Sequence, residues 1–216
     1  MSPRALTRHE KQAETRSSLL RSAAKLFCRH GLDGASVEEV AQDAGYTKGA
    51  FYSNFKSKEE LFLVMLDERF AERLDALDRM LDGPERPGEQ ARLAGEDFIR
   101  SFRGEEEWKR LYFEFVAYST RNEEFRQELA TRHRAMRARL TEIISGWAGG
   151  FVDPPVPFED IAAMTDFMTD GFILDRMVDP ELDEDLFGTM LAIFVRGLQA
   201  TAAGWVPEEE RAGASA

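Results

Sequence analysis

Cysteine is nearly absent from this chain, with Cys28 standing alone among 216 residues. A single thiol excludes an intrachain disulfide framework and suits a reducing cytosol. Histidine is scarce as well: His9, His30 and His133 are scattered, and no spacing resembles a metal-ligand set. The chain lacks a phosphate-cradling glycine loop and a nucleophile elbow, so no catalytic residue, metal or cofactor is expected. No run of about 18 apolar residues occurs, which argues against a membrane span. The first ten residues, Met1 to Glu10, are followed by no apolar stretch of the kind a signal peptide carries. Strand-like alternation is missing too, and helical periodicity takes its place almost everywhere.

What is present is enough for a core. Hydrophobic residues make up 43% and aromatic residues 11% of the chain, well above the composition of a disordered segment. The net charge of −12 argues against a polyanionic partner until its distribution is examined. Residues 1–58 hold 10 Lys and Arg against 6 Asp and Glu, a balance of +4, and the remainder carries −16. A basic head on an acidic body can present one face to phosphate and repel it elsewhere.

The spacing predicts a first helix from Lys11 to His30, with Leu20, Ala23, Ala24 and Phe27 on its buried face and Gly31 as its stop. A second runs from Ser36 to Ala44, opened by a Ser36/Glu39 capping box. A third runs from Thr47 to Phe55. A fourth begins at Ser57, which pairs with Glu60 as another capping box, and continues to Leu81. Residues 84–89 read as a linker, and Gly149-Gly150 with Pro154-Pro155 as a second break. Between and after these breaks lie five more helical stretches. They span Gln90–Phe102, a stretch around Trp108–Tyr118, another around Phe125–Trp147, then Phe158–Met177 and Asp183–Ala203. The tail from Pro207 is polar.

Residues 36–60 concentrate the chemistry. They read as two short helices joined by a glycine turn, the arrangement that lets a second helix lie in the major groove while the first braces it. Phe51 and Phe55, four apart, share the packing face of the third helix. Opposite them lie Gly49, Ser53 and Lys56, flanked by Ala50 and Tyr52. Gly49 allows close approach. Tyr52 offers a ring for a thymine methyl and a hydroxyl for a phosphate, and Ser53 is short enough to meet a base edge. Lys48, Lys56 and Lys58 are cations for phosphate, and Thr47 caps the third helix. Two capped helices with a glycine turn also occur in helical proteins that touch no DNA.

The run from Gly45 to Phe62 (GYTKGAFYSNFKSKEELF) resembles the recognition-helix signature of the TetR family of bacterial transcriptional regulators. So does the preceding pattern of Ala23-Ala-Lys-Leu-Phe27, Gly31 and Ser36-Val-Glu-Glu-Val-Ala41. The resemblance covers about the first 65 residues. It implies an all-α homodimer, with an N-terminal three-helix helix-turn-helix domain and a larger helical ligand-binding and dimerisation domain. Carried over residue by residue, it implies that Ser36, Thr47, Lys48, Gly49, Tyr52, Asn54 and Lys58 contact double-stranded operator DNA. Ser53 and Asn54 stand where other members often carry an aromatic residue or a histidine. The boundaries expected are 1–56 for the DNA reader, 57–205 for the body and 206–216 for a flexible tail.

In the body, Trp108, Phe115 and Tyr118 recur along one helix, and Met136, Met164, Met168 and Phe172 along others. Such side chains suit an adaptable apolar pocket for a small-molecule effector, and serve an ordinary core equally well. His133, between Leu129 and Met136, reads either as a core histidine or as a ligand contact. Asp166 and Asp170 would suggest a cationic ligand if turned inward, and a solvated face otherwise. The last two helices are apolar over a wide arc. Gly171, Ala192, Gly197 and Ala200 among them suit a two-fold helical interface. Taken together, these features predict a cytoplasmic, ligand-responsive repressor. A ligand-independent regulator and a helical small-molecule binding protein are the alternatives.

Overall fold

A computed structural model describes residues 7–83, 85–148 and 154–204, without the side chain of residue 33. Pro84 of the expected linker, the Gly149-Gly150 break and the 206–216 tail lie outside the described residues. Among the described residues the secondary structure is helical throughout, with no strand, as the periodicity predicts. The helices are α1 (Arg8–Gly34), α2 (Val37–Asp43), α3 (Lys48–Tyr52), α4 (Lys58–Leu81), α5 (Pro87–Arg100), α6 (Glu106–Ser119), α7 (Glu123–Trp147), α8 (Phe158–Val178) and α9 (Asp185–Ala202). Several boundaries move from expectation. α1 begins at Arg8 rather than Lys11 and runs past its expected stop at Gly31 to Gly34. α3 stops at Tyr52 rather than Phe55, because the Ser53 hydroxyl and the Asn54 amide both turn back to the Ala50 carbonyl. α5 opens with Pro87 at its first turn, where the missing N–H costs nothing.

The chain divides into two compact units. One comprises residues 1–70 and 105–132, the other 71–104 and 133–216. The first therefore adds α6 and the start of α7 to the N-terminal helices. Its core is aromatic: Phe27, Phe51, Phe55, Phe62 and Phe115 are almost wholly buried. Phe62 of α4 stacks on Phe115 of α6 with ring centroids 3.4 Å apart. Each such ring stabilises the unit by about 2–3 kcal/mol through removal of apolar area from water.

α1 kinks at Gly31, whose φ of +72° favours glycine. The Glu114 carboxylate of α6 occupies the space a Cβ would need there, and accepts the Leu32 N–H at 2.8 Å. The Lys58 ammonium at the start of α4 donates to the Leu32 carbonyl at 2.5 Å. One residue past the kink thus has both backbone groups satisfied by side chains of two other helices, which holds the kink in place.

In the second unit, α5 and α9 approach through glycines. A Cβ on Gly95 would lie 3.0 Å from the Gly188 Cα, and one on Gly188 would lie 2.5 Å from the Arg92 carbonyl. Beside this crossing the buried Glu96 receives both Arg92 and Arg100, so its charge is paired. A smaller apolar cluster of Leu140, Ile144, Ile161 and Ala162 joins α7 to α8.

Candidate nucleic-acid interface

α2 is opened by the expected capping box. The Ser36 hydroxyl accepts the Glu39 N–H at 3.2 Å, and the Glu39 carboxylate accepts the Ser36 N–H at 2.8 Å. The Ser36 backbone N–H, and after it the Ser36 side chain, hold the Glu39 carboxyl below its ordinary range. α2 closes on Gly45 at φ +80°, where the Tyr46 N–H reaches back to the Ala41 carbonyl at 2.8 Å. This is the left-handed glycine closure that reverses the chain within a few residues. Thr47 then caps α3, its hydroxyl accepting the Ala50 N–H at 3.2 Å. At α4 only half of the expected box forms. The Ser57 hydroxyl accepts the Glu60 N–H, while the Glu60 carboxylate takes the Lys56 N–H instead of that of Ser57.

α3 is thereby divided into an inner and an outer side. Phe51 is buried, edge-on to Tyr52 and tilted against the buried Phe55 at 5.7 Å. Outward lie Thr47, Lys48, Gly49, Tyr52, Ser53 and Lys56, all exposed, with Tyr52 at 52%. Ser36 is exposed as well. Lys48 meets Glu38 at 3.1 Å, and this partner raises its pKa. Both groups lie in solvent, so the pair is weak and a phosphate can compete for the cation.

Gly49 is the most telling of these positions. A Cβ there would meet only the Thr47 hydroxyl, at an ordinary 3.7 Å. Nothing among the described residues requires glycine at this point, although glycine weakens a helix by about 1 kcal/mol relative to alanine. The bare backbone leaves this side of α3 open.

Two expected contacts are engaged elsewhere. Lys58 is half-buried with its ammonium on the Leu32 carbonyl, so its geometry is that of a brace for α1 rather than a phosphate contact. Asn54 is half-buried, and its amide nitrogen caps the end of α3. One participant escaped the sequence. Arg16 of α1 lies 4.4 Å above the Phe55 ring and donates to the Asn54 carbonyl at 3.1 Å. It fastens the end of α3 from 38 residues away, a separation at which local spacing carries no signal.

The eight expected ligand residues fall in different places. Trp108, Phe115 and Tyr118 belong to the aromatic core of the first unit: Trp108 stacks on Phe62, Phe115 is buried under it, and Tyr118 packs edge-on to Phe125. The Tyr118 hydroxyl accepts from Asn122 at 2.9 Å. In the second unit Phe172 packs on Phe187 with centroids 5.2 Å apart, Met136 is buried, and Met168 is half-buried. Met164 is exposed on α8. His133 is half-buried; burial pushes its pKa below the ordinary 6.5, Asp166 opposing and Arg137 reinforcing. Asp166 itself is largely buried, paired with Arg137 at 3.2 Å rather than solvated.

The second unit holds an apolar cavity of about 100 Å³, and none of those eight residues lines it. Its walls include Leu77 and Leu81 of α4, Leu140, Ile144 and Trp147 of α7, Ile161 and Thr165 of α8, and Leu191, Phe194 and Leu198 of α9. Cavity walls and packed cores are built from the same residue types at the same helical spacing. Only the meeting of five helices distinguishes them.

An outward α3 on a capped, glycine-turned brace is a helix-turn-helix reader. The comparisons with known proteins agree. The sequence profile described as "Bacterial regulatory proteins, tetR family" matches residues 19–65, and that of the "BetI-type transcriptional repressor, C-terminal" matches residues 87–200. The second alone spans more than half of the chain, and the chain belongs to the TetR family of DNA-binding transcriptional regulators, which are not enzymes. It is 26% identical over 192 residues to the HTH-type transcriptional regulator YfiR of Bacillus subtilis, covering 87% of this chain and 91% of that one. It is 33% identical over 86 residues to the HTH-type transcriptional repressor AcnR of Corynebacterium efficiens, covering 36% and 46%. Among solved structures, a TetR-family regulator from Mesorhizobium loti superposes with a TM-score of 0.70 at 19% identity, covering 91% of this chain and 98% of that one. FadR from Bacillus subtilis in complex with stearoyl-CoA superposes with a TM-score of 0.63 at 15% identity, covering 82% and 95%. Both likenesses concern the fold. Among the described residues no helix is long and apolar enough to cross a membrane.

Proposed function

We propose that this regulator is a cytoplasmic homodimeric repressor, released from a palindromic operator by a small molecule. The reader is residues 1–56, and the ligand and dimerisation part is residues 57–205. The observation that carries the reading is the outward face of α3, exposed from Thr47 to Lys56 around a glycine that intrachain packing does not require. Gly49 admits the backbone to the groove, while Tyr52 and Ser53 meet base edges. Lys48 and Lys56 bind phosphate. The Ser36 hydroxyl and the Thr47 cap lie beside them at the backbone, and Asn54 and Lys58 hold the reader in shape.

Two stripes support the dimer. On α8, Met164, Phe167, Gly171, Leu174 and Val178 recur at alternating steps of three and four and are exposed, Phe167 at 64% and Val178 at 81%. On α9, Leu186, Ile193 and Gly197 repeat the pattern, with Ile193 at 65%. A Cβ on Gly171 or Gly197 would meet nothing within 4 Å. Exposed apolar stripes with bare glycines suit a second copy packed helix to helix. The repressor sign rests on relatives that are named repressors. The apolar cavity supports the effector, and α4, which belongs to both compact units, is the element through which it would act.

The test is operator binding by the full chain on sites recovered by genomic footprinting. Lys48→Ala and Tyr52→Ala should each weaken binding at least tenfold with the fold intact. Full binding by both variants, or no preference for any palindrome at low salt, overturns the reading.

A further inference from the structure

A cationic ligand would require an inward carboxylate, and the cavity in the second unit has none among its described lining residues. Asp166, the candidate raised by the sequence, is committed to Arg137 and does not line it. The polar atoms that do reach the wall are mostly engaged. The Trp147 indole N–H donates to Gln90 at 2.9 Å, and the Thr165 hydroxyl donates to the Ile161 carbonyl at 2.9 Å. Gln90 in turn donates to the Leu81 and Gly83 carbonyls, so this buried amide is held on both sides. Gln199 also lines the cavity, whose wall is almost wholly apolar. A charged molecule entering here would give up its hydration with no opposite charge among the described lining residues to replace it. An uncharged apolar one would gain from every wall it covers.

We propose that this cavity is the effector site and selects an uncharged, predominantly apolar small molecule, rejecting organic cations and anions of the same shape. About 100 Å³ is several times the roughly 10–15 Å³ that one water requires, and comparable with apolar cavities that take a single aromatic ring. The ligand is therefore a compact ring or short branched chain with little hydrogen-bonding capacity, to match a wall that is almost wholly apolar. This rests on the reading of the second unit as the sensor.

The experiment uses the full-length protein and two probes of one shape, tert-butylbenzene and trimethylphenylammonium, which differ by a single charge. At about ten times its Kd, tert-butylbenzene should raise Tm by about 3 °C or more, and trimethylphenylammonium should leave it unchanged. Ala202→Phe, which fills the cavity from its rim, should abolish the tert-butylbenzene shift. Thr165→Asp, which sets a carboxylate in the wall, should lose the neutral probe and gain the cation. The proposal is overturned if tert-butylbenzene gives no shift, if the cation stabilises the unaltered protein as much, or if the neutral shift survives in whichever variant folds. Operator retardation on the same samples separates the two readings. Intact palindrome binding beside a failed probe series sinks only this inference, and probe binding without operator binding sinks only the regulator.

Discussion

Gly49→Ala pushes stability and DNA affinity in opposite directions, which gives it unusual discriminating power. Gly49 lies inside α3 with helical backbone geometry, and the added methyl would contact only the Thr47 hydroxyl at 3.7 Å. No strain offsets the gain in helix propensity and the reduced freedom of the unfolded chain. The variant should therefore be more stable by about 0.5–1 kcal/mol. For a chain of this size that is a rise in Tm of about 1–4 °C, read by calorimetry or circular dichroism. In the proposed operator complex the same methyl would stand between the α3 backbone and the floor of the groove. Losing about 1 kcal/mol of base contact in each half-site costs a dimer about 2 kcal/mol, or roughly 30-fold in Kd. Retardation assays at fixed salt measure it. A variant that is more stable and binds equally well would refute the claim that glycine serves close approach. A variant that is less stable would refute the claim that the site is sterically open.

Lys58→Ala should destabilise the protein by about 1 kcal/mol, since a half-buried carbonyl loses a charged donor, and should leave the salt dependence of DNA binding unchanged. Lys56→Ala should leave Tm unchanged and flatten that dependence by about one phosphate per subunit; the reverse pattern would restore Lys58 to the interface. Gly188→Ala should destabilise the protein by about 1–3 kcal/mol, because the methyl meets the α5 backbone at the Arg92 carbonyl, and denaturant unfolding reads this directly. His133 predicts a pH dependence. Its folded pKa lies below the ordinary 6.5 through burial, so the unfolded chain binds the proton more tightly and stability falls as pH drops below about 6.5. In His133→Gln that part of the acid loss should vanish from Tm measured between pH 7.5 and 5.

What the sequence by itself determined was local. Period, caps and breakers act between residues three to five apart, so the helices, the Ser36/Glu39 box, the Gly45 turn and the outward side of α3 are legible in the order of residues alone. Charge asymmetry and the Gly45–Phe62 signature add the class of partner. Tertiary structure decided what local spacing cannot encode. It joined α6 to the head and drew Lys58 and Glu114 onto one residue past the Gly31 kink. It buried Trp108 and Phe115 in a core while leaving Phe167 and Ile193 bare. It also closed a cavity with residues that no local pattern singles out. An apolar residue on a helix reports only that one face avoids water. Whether that face meets a core, a ligand or a second copy depends on which other helices arrive there, and their positions are set by packing across the whole chain.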